Sequence, residues 1–405
     1  FIFVASADVL AVARQKRWMT IAAVLLIGWQ IFGTLRIYPY YFAFFNETVG
    51  DPDRGRYSLS DSNLDWGQDL VGLKDYVAQQ HIADLNLSYF GNTPPSVYGL
   101  HTYALPPVRS AMHEQGAWWL RRYYPPNPAP GTYAISVANL MGGIWNNQSD
   151  YAYFRAREPE AIIGHTIYVY TVPARGTPID LSLAGVQLDQ IDPLAYQQFN
   201  TNAVRPRWFA ATSSLIAAPD RTWLAIADDQ PLAPELAPVL ADVHPVLRAT
   251  TTDDQRSYAL YDFDLGQRLS AAAQRSEQTT ALGKLPIRFG NTAELIGYQL
   301  TEQVTGLTLI TYWRAGDRVV TPLQLFVHML GADGAIVAQQ DRLDVPAEGW
   351  HAGDLIAQIH HIELPANTAA QSIALGLYNP DTGQRLPVMV DGHEVDQRLI
   401  LKQLP

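Results

Sequence analysis

Residues 19–35, MTIAAVLLIGWQIFGTL, run for seventeen positions without a charge. With Trp18 this stretch spans about 27 Å as a helix at ~1.5 Å per residue, close to the ~30 Å hydrocarbon thickness of a bilayer. A buried core helix of that length ordinarily carries a polar stripe, and this one has none. Trp18 stands at one end, and Tyr38, Tyr40 and Tyr41 cluster past the other, where interfacial aromatics belong. The expectation is one complete transmembrane helix over 18–35.

Arg14, Lys16 and Arg17 precede the helix and only Arg36 follows it closely. The positive-inside bias then puts residues 14–17 in the cytoplasm and everything after about residue 38 outside. Residues 1–12, FIFVASADVLAV, are apolar except for Ser6 and Asp8, and they fit the last turns of a preceding membrane helix. The first residue is Phe1, and no signal-peptide cleavage pattern follows the apolar stretch. These features lead us to expect the C-terminal part of a larger, multi-pass membrane protein.

Hydrophobic residues make up 48% of the 405 and charged residues 17%, enough to bury a core in more than one domain. The net charge of -11, with no basic run after residue 17, excludes a nucleic-acid partner. With no cysteine, disulfides, thiolate metal sites and a cysteine nucleophile are excluded too.

Beyond the membrane segment (1–37) the pattern divides into three. Over 38–176, helical spacing of Leu70, Leu73, Tyr76 and Val77 is followed by the strand pattern LNLSYF at 85–90 and by strands at 133–137 and 166–172. That alternation predicts an extracytoplasmic α/β domain. The proline-rich stretch YYPPNPAP at 123–130 reads as an extended surface loop. Over 177–283, strands at 221–227 and 257–263 and helices at 232–240 and 266–275 predict a second mixed α/β unit. Over 284–405, strands at 307–313, 323–330, 336–340, 355–364 and 372–378, with turns at 332–335 and 380–383, predict an antiparallel β-sandwich. The fold class expected is α+β and multidomain.

The most informative motif is Asp61-Ser62-Asn63-Leu64-Asp65-Trp66-Gly67-Gln68-Asp69, directly before a helix. Ser62 or Asn63 can cap that helix, and Asp65 and Asp69 near its first turn suit its dipole. Trp66 and Gln68 serve no cap and point to a packed or ligand-facing corner. Alternate acidic positions also resemble a calcium loop, but Trp66 and Gly72 stand where that loop needs glycine and a bidentate glutamate, so no metal is expected. His360 and His361 are adjacent in a strand and face opposite ways, which prevents joint metal ligation. The pair Trp118-Trp119 before Arg121-Arg122 reads as a half-buried helix. In the last domain Trp313, His328, Gln340, Asp341 and Trp350 are candidates for a glycan-binding face, with a core role for Trp313 as the plainer reading. No phosphate loop, nucleophile elbow or zinc-protease motif is present.

Residues 38–47 joined to 61–70 resemble the segment that follows the last membrane helix in bacterial glycosyltransferase family 39-like proteins, relatives of protein mannosyltransferases and of the aminoarabinose transferase of lipid A. Tyr89-Phe90-Gly91, AISVANL at 134–140 and EPEAIIGHTIYVY at 158–170 extend the resemblance. It covers about residues 1–175, and the last domain resembles, more loosely, β-sandwich modules appended to such proteins. The resemblance implies sugar transfer from a polyprenyl-phosphate donor outside the cell membrane to a glycan or protein acceptor. It places the catalytic acid in a first external loop, outside these residues. No catalytic residue is therefore carried over, no cofactor is expected in the 405 residues, and alone they are expected to be inactive. The other reading is a membrane-anchored, non-catalytic glycan-binding or scaffold module.

Overall fold

The computed structural model describes residues 17–44, 64–106, 122–142, 149–303, 306–366 and 368–404. Its first element is the apolar helix α1 (Arg17–Arg36), long and apolar enough to cross a membrane. Only Gly33 is buried in it, and large side chains such as Trp18, Leu26 and Phe32 are about two-thirds exposed. It ends in a turn through Tyr38 and Pro39 and a short 3-10 helix at Tyr41–Ala43. Residues 1–16, where a preceding helix is expected, lie outside the described residues.

The chain divides into two compact units, Phe1–Trp118 with Pro125–Pro173, and Trp119–Tyr124 with Ala174–Pro405. Beyond α1, the first unit is built on strands β1 (Leu85–Ser88), β2 (Thr102–Ala104), β3 (Gly131–Ser136), β4 (Ala161–Ile163) and β5 (Ile167–Val172). They form one mixed sheet in the order β2-β1-β3-β5-β4, parallel about β1 and antiparallel about β5. Helix α2 (Leu70–Gln79) lays Leu70 and Leu73 on Leu85, Leu87, Ala134, Ile167 and Val169. That is the apolar face its spacing predicts. Two one-turn helices, α3 (Val137–Leu140) and α4 (Ala152–Arg155), complete the unit.

The second unit begins with β6 (Ile179–Ala184), helix α5 (Pro193–Gln197), β7 (Val204–Trp208), β8 (Ser214–Ala217), β9 (Thr222–Ala227), β10 (Leu247–Thr250) and β11 (Ser257–Phe263). Helix α6 (Leu265–Arg275) and the hairpin β12 (Thr279–Thr280) with β13 (Gly283–Lys284) follow. The rest is β14 (Ile287–Phe289), β15 (Ala293–Gln303), β16 (Gly306–Ala315), β17 (Gln324–Leu330), β18 (Ile336–Asp341), β19 (Leu355–Glu363), β20 (Ser372–Tyr378), β21 (Val388–Val390), β22 (His393–Asp396) and β23 (Leu399–Gln403).

These strands make three larger sheets. One runs β10-β11-β9-β6-β7, a second β22-β21-β14-β15-β16-β19-β8, and a third β18-β17-β20-β23. The last two are antiparallel throughout, and their apolar residues, Leu309, Trp313 and Ile356 from one and Leu325, Val327 and Leu375 from the other, share one core. The protein is thus α+β with mostly antiparallel sheets and, among the described residues, six α-helices.

Strand β8 leaves its sequence neighbours and pairs with β19, Leu215 opposite Ala357 and Ile216 opposite Ile356. The core of residues 284–404 therefore includes Leu215, Ile216, Leu224, Leu265 and Leu269 from the preceding stretch. Arg207 strengthens the junction. It is almost fully buried, forks onto both oxygens of Asp354 at 2.7 Å, and reaches Asp180 at 2.7 Å.

Two local expectations differ from the structure. Residues 232–240 form turns and a 3-10 segment, Ala237–Leu240, where a helix is expected. Pro231, Pro234 and Pro238 break the ladder of amide donors there. The stretch 123–130 is irregular, with a turn at 125–126, and is not confined to the surface: its two tyrosines are buried, and Tyr124 stacks flat on Tyr196 at 3.8 Å.

Candidate functional site

The loop Leu64 to Asp69 is folded by its own side chains. Asp65 Oδ1 accepts from the Gly67 amide at 2.8 Å. Gln68 closes the loop from both directions: its Oε1 accepts from the Trp66 amide at 2.8 Å, and its Nε2 donates to the Leu64 carbonyl at 3.2 Å. Gly67 sits at a φ of +75°, open to glycine at no steric cost. A Cβ there would strike the Tyr89 ring, and so would one at Gly91. The two glycines thus grip one buried tyrosine, whose hydroxyl donates to the Gly67 carbonyl at 3.1 Å.

Both acids of the loop face inward. Asp69 occupies the residue before α2 without capping it; its carboxylate instead accepts from the Thr166 hydroxyl at 2.5 Å. Room for that carboxylate exists because residue 164 is glycine, where a Cβ would lie 2.0 Å from Asp69 Cγ. Burial raises Asp69 to about 6, opposed by Thr166 and by His165. Asp65 is fully buried and is raised further, to about 7, by burial. The Gly67 amide, the Ser136 hydroxyl and the Ala138 amide work against that shift, and the Asp69 charge adds to it. Asp65 Oδ2 has no partner at hydrogen-bond geometry among the described residues. Burial is the main cause of the upward shift at both carboxyls.

Beneath them lies a polar layer on the ends of β1 and β3. Ser136 Oγ accepts from the Phe90 amide at 3.0 Å, and Asn139 Nδ2 donates to Ser88 Oγ at 2.9 Å. Ser88 Oγ in turn donates to the Pro106 carbonyl, which the buried Tyr151 hydroxyl also reaches. On the other side His165, held at a φ of +70°, meets the Tyr40 ring edge-on at 5.5 Å. Tyr40 is four residues past α1.

The stretches behind the family resemblance are thus neighbours in space, with Tyr40, the Asp65–Asp69 loop, Tyr89, Ser136 and Thr166 in one assembly. Of the motif residues, Asp65, Gly67, Gln68 and Asp69 belong to it, while Trp66 is 62% exposed. Asp61, Ser62 and Asn63 lie outside the described residues, as do Trp118 to Arg121. Arg122 is described; it donates to the Glu348 carbonyl and lies over the Trp208 ring at 5.5 Å. The partners Tyr89, Ser136, Gly164 and Thr166 carry no local signature of this role; only the resemblance marked their stretches.

The glycan-face candidates are not brought together on one open surface. Trp313 and Trp350 belong to the buried core; Trp313 Nε1 donates to Thr311 Oγ1 at 2.8 Å. Trp350 Nε1 is buried and has no partner among the described residues. His328 lies on the other face of β17 from core residues Leu325 and Val327, against Phe326 and 3.5 Å from Asp341. Burial holds its pKa below the usual range, with Arg385 assisting and Asp341 opposing. Gln340 Oε1 accepts from His360 Nδ1 at 3.1 Å, and burial pushes the pKa of that imidazole down to about 3.

Compared with protein-family models, with curated proteins and with solved structures, the chain matches none.

Proposed function

We propose that this chain is the membrane-anchored extracytoplasmic portion of a bacterial glycosyltransferase that takes its sugar from a polyprenyl-phosphate carrier. The observation that carries the reading is the convergence of separate family-like stretches on the Asp65–Asp69 assembly, with Tyr40 tying it to the exit of an apolar helix. The positive charge before α1 supports an outward-facing first unit. Two antiparallel sheets around a single core support a β-sandwich in the second unit, which in this reading orients the acceptor.

In this reading the Asp65–Asp69 pair is a positioning device. A fully buried carboxyl touches no substrate, but it fixes the loop that follows the membrane exit. The donor phosphate and the catalytic acid belong to membrane loops outside these residues.

The test is the coding sequence upstream of Phe1, followed by transfer assays on membranes holding the full product and a labelled polyprenyl-phosphate hexose. Further apolar spans with an Asp or Glu in the first external loop, and transfer by those membranes, are expected. A frame that opens close to Phe1, or transfer by the 405 residues alone, overturns the proposal. The first of these outcomes leaves a membrane-tethered binding module.

A further inference from the structure

Helix α1 runs into the first unit without a free linker. Gly33, in its last turn, is buried, and so are Ile37 and Ala43 in the turn that follows. Tyr40, between them, meets His165 at the tip of the hairpin that joins β4 to β5. A membrane helix whose exit is rooted in this way holds the unit at the bilayer surface. The same turn presents Tyr38, Tyr41, Phe42 and Phe44 outward, all of them exposed. Clustered apolar rings are a liability in water. At the headgroup layer an aromatic body with a polar tip is favoured.

Trp66 extends this surface from another part of the chain. Its indole is largely exposed, although the backbone that carries it is tightly held by the two hydrogen bonds of the Gln68 side chain. The loop thus presents the ring outward from a fixed base. Asp69, three residues on and so within about 11 Å of Trp66, accepts from Thr166, the neighbour of His165. The loop and the aromatic turn therefore flank the same hairpin tip. Val71, also exposed, follows in the first turn of α2.

We infer that Trp66 and the aromatic turn after α1 rest together on the headgroup layer of the bilayer that α1 crosses. This second membrane contact holds the Asp65–Asp69 loop at the depth of the lipid headgroups. The side chains name the partner. Tyr38, Tyr41, Phe42, Phe44, Trp66 and Val71 carry no charge, so the surface fits a neutral lipid interface, where apolar burial and not ionic attraction supplies the binding. The inference rests on the reading of α1 as a membrane span and not on sugar transfer.

The chain has no cysteine, so a single introduced one carries a spin label to one site. The full chain is placed in phosphatidylcholine nanodiscs. Electron paramagnetic resonance then compares collisions of the label with oxygen, which concentrates in lipid, and with a water-soluble nickel chelate. The labelled variants are Leu26→Cys in mid-helix, Phe42→Cys, Trp66→Cys and Val71→Cys. Gln80→Cys, about 14 Å along α2 from Val71, is the aqueous reference. Labels at 42, 66 and 71 are expected to favour oxygen over nickel at least about threefold more than the reference, at low and high salt alike. Trp66→Gln in the Val71→Cys background should keep the thermal transition and bring the ratio most of the way to the reference. The label at 26 separates two failures. If it too reads as aqueous, α1 is not in the bilayer, and the membrane reading falls with the inference. If it reads as lipid while 66 and 71 match the reference, or if Trp66→Gln changes nothing at 71, the inference alone is overturned.

Discussion

Asp65 holds a carboxyl in a place from which water is shut out, so its proton is part of the fold. Its pKa rises from an ordinary 3.8 to about 7, which means that the folded state holds the proton more tightly than the unfolded chain. Stability from this group is therefore greatest below pH 4. It falls as pH climbs toward 7, at up to about 1.4 kcal/mol per pH unit. Asp69, raised to about 6, adds in the same direction over a lower window. Asp65→Asn removes an ionisation and keeps an acceptor for the Gly67 amide. Melting of the variant between pH 5 and 8 should be flatter than wild type, with the gain at pH 8; parallel curves would refute the buried-proton account. Gly164→Ala should cost more than about 2 kcal/mol, because it combines a left-handed φ with a Cβ inside the Asp69 carboxylate. Thermal melts that left this variant unchanged would mean that Asp69 can swing away.

Among elements, the buried fork of Arg207 on Asp354 joins the sheet containing β7 to the one containing β19. Asp354→Ala strands a cation that is almost fully buried, and a loss of about 3–5 kcal/mol is expected from denaturant melts. A loss below about 1 kcal/mol would show that Asp180 alone satisfies the guanidinium. The elements legible in the sequence were those with a self-contained pattern. The uncharged run of α1, the amphipathic spacing of α2 and α6, and strands such as Ser257–Phe263 and Ser372–Tyr378 fall within a residue or two of their expected bounds. What stayed hidden depends on distant chain. SLIA at Ser214–Ala217 is too short and too uniformly apolar to declare a partner, and only β19 decides its place. The candidate site was half visible in the same way. Asp65 and Asp69 stood out by their spacing, but the reason they are buried is Tyr89, Gly164 and Thr166, which come from three other stretches.

At the scale of the molecule, residues 174–405 pack about one continuous apolar core. A fragment of 174–405 should melt in a single calorimetric transition. Residues 284–405 expressed alone should show none, because β19 loses its edge partner and the core loses Leu215, Ile216, Leu265 and Leu269. A cooperative transition in the shorter fragment would contradict the shared core. The pairing of β8 with β19 also sets a schedule. Strand β8 leaves the ribosome about 140 residues before its partner does. At roughly 5–20 residues per second that is a wait of roughly 7 to 28 s. During that time a strand destined for full burial lacks its edge partner, and such contacts at long sequence separation are slow to form in any case. Newly made chains will depend on something that keeps this segment from its neighbours until β19 has been made.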